Sequence, residues 1–136
     1  MPPVGADPEP DQFAYAILRV VPRVERGEQL NAGVVLFCRR RRFHAARVEL
    51  DARRLAALAP DLDPAQVRGH LEALARIAAG DPAGGPVAAL EPSERFGWLV
   101  APSSTIVQPS PVHTGLCDDP RTMLDRLFDE LVAPVA

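Results

Sequence analysis

The stretch FAYAILRVVP, Phe13 to Pro22, carries Phe13, Tyr15, Ile17 and Val21 on one parity and Ala14, Ala16, Leu18 and Val20 on the other. Apolar side chains on both faces predict a strand covered on both sides and closed by Pro22. VERGEQL then turns at Gly27. AGVVLFC, Ala32 to Cys38, reads as a second strand and RFHAARVEL as a third, with Arg39 to Arg42 at their hairpin tip. Asp51 can cap a short helix through Leu55 and Leu58 that stops before Pro60. A cleaner start follows at Asp63-Pro64-Ala65-Gln66: the carboxylate accepts from first-turn amides and the proline fits the first helical position. Val67, Leu71, Leu74 and Ala78 recur at helical spacing, and Gly80 is the stop.

RFGWLVA, Arg95 to Ala101, alternates Phe96, Trp98 and Val100, which predicts a fourth strand with Trp98 in the core. Thr105 to Gln108 reads as a short fifth strand, and His113 to Gly115 as a loop. Asp119 and Pro120 open a last helix with Leu124, Leu127, Phe128 and Leu131 on one face, ending before Pro134. Strands early, helices in the middle and at the end, and short turns between the first strands define the expected class. It is α+β, a mainly antiparallel sheet of about four to five strands packed with about three helices.

Length and composition add boundaries. The chain of 136 residues suits one domain. Residues 1–11, rich in proline and acid, are expected to form a disordered tail, leaving 12–136 as a single domain. The apolar runs fall far short of the ~20 residues of a membrane helix. The N-terminus lacks the basic start and apolar centre of a secretion signal. Cys38 and Cys117 lie far apart with no C-x-x-C pair, which argues against zinc and against a disulfide framework. A reducing cytoplasm is the expected compartment.

Charge changes the picture locally. The net charge is −3, yet residues 39–54 hold seven arginines against Glu49 and Asp51, a local +5 that leaves −8 for the rest. Such a patch can meet an anionic partner. Nucleic acid is disfavoured, because stacking aromatics and base-reading motifs do not accompany the arginines. All 15 basic residues are arginine, a compositional habit that weakens any argument from the choice of arginine at one position.

Candidate chemistry is scattered over polar segments. Glu25, Arg26, Glu28 and Asn31 surround a turn, which offers either acid–base groups near an arginine or an ion-paired turn. His44 is expected to be exposed, and His70 half-buried beside its helical stripe. His113 and Thr114 lie in a loop ahead of a helix N-terminus, where amides and Arg121 can hold an anion, although Asp119 competes as the cap and Asp118 can pair with Arg121. A Cys117–His113 nucleophile pair is conceivable at such a terminus. No G-x-S-x-G, H-E-x-x-H, P-loop or G-x-G-x-x-G motif occurs, so no cofactor and no metal are expected.

Three blocks together, YAILRVVPRVERGEQLNAGVVLFC, ERFGWLVAPSSTIVQPSPVHTGL and DPRTMLDRLFDELV, resemble a bacterial family, domain of unknown function 3037, over Phe13 to Val132. The motif residues that match are Glu25, Arg26, Glu28, Asn31, Gly33, Arg95, Phe96, Ser103, Ser104, His113, Thr114 and Gly115. The resemblance carries no catalytic residue or cofactor across. It implies a small cytoplasmic protein, sometimes encoded near kinases similar to persistence-toxin kinases, and so a kinase-like protein partner. The resulting expectation is a non-enzymatic binding or regulatory module. Its polar cleft for a protein or an anionic ligand would join the Glu25–Asn31 turn, Arg95, Ser103, Ser104, His113 and Thr114. The alternative is a small enzyme on a phosphorylated or nucleic-acid substrate, with His113 as acid–base and Arg26 or Arg95 holding the anion; it requires these groups to converge.

Overall fold

The structure, a computed structural model, describes residues 9–103 and 105–134. Five strands, β1 (Asp11–Val20), β2 (Leu30–Cys38), β3 (Phe43–Val48), β4 (Val107–Pro109) and β5 (His113–Cys117), form one antiparallel sheet. Four α-helices pack on it: α1 (Ala52–Leu58), α2 (Pro64–Ala79), α3 (Pro92–Leu99) and α4 (Pro120–Leu131). The fold is α+β. Across the sheet the order is β3-β2-β1, and β4 and β5 both pair with the far edge of β1, one after the other.

Both parities of β1 are apolar because both sheet sides are covered. On one side Ala16, Leu18, Val20 and Val35 pack under Leu55 of α1, Val67 and Leu71 of α2, and Phe96 and Leu99 of α3. On the other, Phe13, Val34, Leu36 and Cys38 pack under Leu124 and Phe128 of α4. Ala32 is an extra residue where Leu18 pairs Gly33 and Arg19 pairs Asn31. This bulge switches the parity of β2, so Leu30 and Ala32 join Val35 on the first side and Asn31 turns to the α4 side. Gly33 is required there, since a Cβ would stand 2.8 Å from Val48 Cγ1.

Capping follows the sequence closely. The carboxylates of Asp51, Asp63 and Asp119 accept from first-turn amides of α1, α2 and α4, and Gly80 closes α2 in the left-handed region at φ 72°.

Five expectations are corrected. Arg95 to Ala101 is mostly helix rather than strand: Pro92 takes the first turn of α3, and Phe96 and Leu99, three apart, are its buried residues. Trp98 therefore leaves the core and is 49% exposed. His113 to Gly115 belongs to β5, not to a loop. Asp11, assigned to the tail, is the buried first residue of β1, where its carboxylate accepts from Arg41 Nε at 2.6 Å. His44 is buried, edge-on to the stacked rings of Phe37 and Phe96.

Candidate functional site

The residues of the expected cleft reach their places by local rules, and the places differ. Val24–Arg26 forms a single 3-10 turn closed by Gly27 at φ 68°. Arg26 Nε donates to Glu28 Oε1, and that bond and charge raise the guanidinium above its ordinary range. Glu25 stands exposed beside them. Asn31, three residues past Glu28, is turned by the bulge toward α4 and donates to the Leu131 carbonyl at 3.0 Å. It thus closes the end of a helix 100 residues away, as terminal carbonyls require a donor.

Arg95 works on the opposite side. Its Nη1 donates to the Leu90 carbonyl at 2.7 Å and Nη2 to the Ala78 carbonyl at 3.4 Å, beside the Gly80 stop of α2. The guanidinium is a clamp on a helix end. His44 lies near it with neither ring nitrogen hydrogen-bonded among the described residues. Burial first, and then the Arg95 charge, push the His44 pKa down to about 4, the nearby Ala78 carbonyl acting the other way.

His113 pairs across the strands with Tyr15, its exposed ring 5.3 Å from the phenol on the α4 side. Ser103, in the connection after α3, exchanges a 2.8 Å hydrogen bond with Thr105 Oγ1 and accepts from the Thr105 amide. Ser104 lies outside the described residues. Arg121, expected to pair with Asp118, lies instead over the Phe43 ring at 5.0 Å.

Glu28, Arg95 and His113 therefore do not meet. Arg95 is on the α1–α3 side, His113 and Asn31 are on the α4 side, and the Glu25–Glu28 turn is at the strand end opposite the arginine hairpin. The Cys117–His113 pairing fares no better, because burial and the neighbouring Cys38 and Asp11 push the buried Cys117 thiol up, away from the thiolate. Among the described residues no group of three or more His, Cys, Asp or Glu could hold a metal ion, and no helix is long and apolar enough to cross a membrane.

The family described as Protein of unknown function (DUF3037) matches residues 15–132. The chain belongs to this family. No curated protein and no solved structure matches it. The DUF3037 motif residues now divide by role. Gly33 and Gly115 admit close packing, a Cβ on Gly115 standing 2.8 Å from Phe13 Cζ, and Asn31 and Arg95 close helices. His113 and Thr114 remain exposed.

Thr114 belongs to a surface that the sequence reading missed. On the α1–α3 side of β1, Val20, Leu18 and Ala16 are at most 1% exposed, Ala14 is half-buried and Gln12 is exposed. Pairing places Thr114 beside Ala14 and Leu116 beside Gln12, on this same side. Leu116 is 62% exposed. Gln12, Ala14 and Thr114, with Phe13, Phe37, Arg39 and Arg40, border an open cavity of about 270 Å³, and Leu116 lies next to it, paired with Gln12. The signal was the period-2 reading of HTGLC, which places Thr114 and Leu116 on one face once that segment is taken as a strand. A second cavity of about 300 Å³ lies between His70, Trp98 and Pro109.

Proposed function

We propose that this DUF3037 protein is a non-enzymatic binding module that docks a partner protein on the corner of its sheet that the described residues leave open, around Thr114 and Leu116. One observation carries this reading: along a single side of β1, burial falls from complete at Val20 to open at Gln12, where a large apolar side chain faces solvent. Sheet sides are normally covered, and exposed apolar surface with a polar rim marks interaction sites. The scattering of Glu28, Arg95 and His113 removes the geometric support for an acid–base enzyme. A kinase-like protein is the partner class that family resemblance favours.

The test is affinity purification from the native cell with quantitative mass spectrometry. Tagged wild type is compared with Thr114→Arg/Leu116→Arg and with Glu25→Ala/Glu28→Ala. Partners recovered by wild type are expected to be lost by the first variant and kept by the second, with both variants retaining the wild-type thermal midpoint. Equal recovery by all three proteins, or no partner of the wild type, overturns the reading.

A further inference from the structure

Resting on that reading, we propose that the partner contributes an acidic amphipathic helix, laid on the sheet face across β1 from Arg39 and Arg40 to Leu116. Among the described residues the helical layer on this side is incomplete. α3 crosses it with Phe96 stacked on Phe37, ring centroids 5.6 Å apart, and its last residue, Leu99, shares a core cluster with Leu18 and Val107. The corner beyond, toward the hairpin and β5, has a low floor of Ala14 and Thr114 with the taller Phe37 at its margin, and the exposed Leu116 follows beside Gln12 on the same side. A helix seats there as α3 does beside it, with its apolar stripe at positions i, i+3, i+4 and i+7 on that floor.

The rim fixes the sign of the charge. Of the four hairpin arginines, Arg41 is engaged by Asp11 at 2.6 Å and by the Asp118 carbonyl, and Arg42 by Glu91 at 3.2 Å. Arg39 forms no ion pair among the described residues and rests over Phe37, 5.8 Å from its centroid. Arg40 reaches only the Asp11 carboxylate that Arg41 already holds, at 3.4 Å. Both guanidiniums retain donors toward the cavity, and forked donors match carboxylates.

Distance selects a helix on the face over a strand on the edge. Strands lie ~4.8 Å apart, so the span from β2 to β5 over β1 is ~10 Å. An α-helix is ~10–12 Å across and touches both margins at once. A strand added to the outer edge of β5 would stand ~15 Å from Arg39, so the arginines would play no part in holding it.

The experiment places the photo-cross-linking residue p-benzoylphenylalanine at position 114 of the full chain, in the native cell, and maps the captured segment. Alongside it, Arg39→Glu/Arg40→Glu is measured against the purified partner at 50 and 500 mM salt. The expected capture is a net-negative helical segment. The charge-reversed variant is expected to bind at least ~10-fold more weakly, and wild type several-fold more weakly at the higher salt. A captured segment that is extended or net-positive, a capture of a second copy of this chain, no capture, or unchanged affinity of the charge-reversed variant overturns the proposal. If Thr114→Arg/Leu116→Arg still loses the partner in those cases, the binding-module reading stands and only the helix is wrong. If it loses nothing, that reading falls as well.

Discussion

His44 shows how one residue takes its properties from neighbours remote in sequence. It directly follows Phe43 at the start of β3, next to four exposed arginines, and local composition places it in solvent. The fold brings Phe37 and Phe96 against it and sets Arg95 close by. A histidine with its pKa depressed from 6.5 to about 4 favours the folded state fully above pH 6.5. Below that pH the unfolded chain takes up the proton first, and the contribution drains away as pH falls toward 4. Between pH 7 and 5 the wild type is expected to lose about 2 kcal/mol of stability through this group. His44→Leu is expected to lack that loss, as chemical denaturation at each pH will show. Equal pH profiles for the two proteins would falsify the burial argument.

At the scale of elements, the far edge of β1 is the informative case. β4 and β5 act as one strand broken around Ser110, which Pro109 and Pro111 flank. Proline cannot donate to a ladder, so the edge is the place for them. The break would leave the buried Ile17 amide without a strand partner. Ser110 Oγ accepts from it at 2.8 Å and donates to the Pro111 carbonyl at 2.9 Å, while the Ser110 amide donates to the Ile17 carbonyl. Ser110→Ala is therefore expected to destabilise by about 1–3 kcal/mol, because a buried donor loses its only acceptor. Ser110→Thr, which keeps the hydroxyl, should recover part of that in the same urea titration. Sequence reading found helices where a cap, a stop and a 3.6 period agreed, as in α2 and α4. It misread α3 because the seven residues Arg95 to Ala101 fit both periods, and the contacts of Phe96 and Leu99 chose between them. It missed β5 because two prolines and a glycine look like a loop until the edge of β1 supplies the pairing.

For the whole molecule, the sheet lies between α1–α3 and α4, with β1 paired on both edges along most of its length. Amides of Ala16–Leu18 and Val34–Leu36 are thus expected to exchange hydrogen only through global unfolding. The Val24–Arg26 turn and residues 101–103, which are exposed, should exchange by local opening. Hydrogen-exchange mass spectrometry reads this order directly, and early exchange in the middle of β1 would contradict the layered core. The incomplete cover near Gln12 and Leu116 is also a property at this scale, invisible in any single element.

The chain alone determined the α+β class, the two-sided burial of β1, the hairpin with its arginine tip, and the Asp-Pro starts of α2 and α4. These depend on residue period, caps and turns, which act over a few positions. Only the tertiary structure decided that α3 is helical and that His44 is buried. It alone set Asn31 and Arg95 to closing helix ends, and assembled Arg39, Arg40, Thr114 and Leu116 around one open corner. Each of those outcomes depends on which distant side chain arrives to pair with, cover or leave bare a given group.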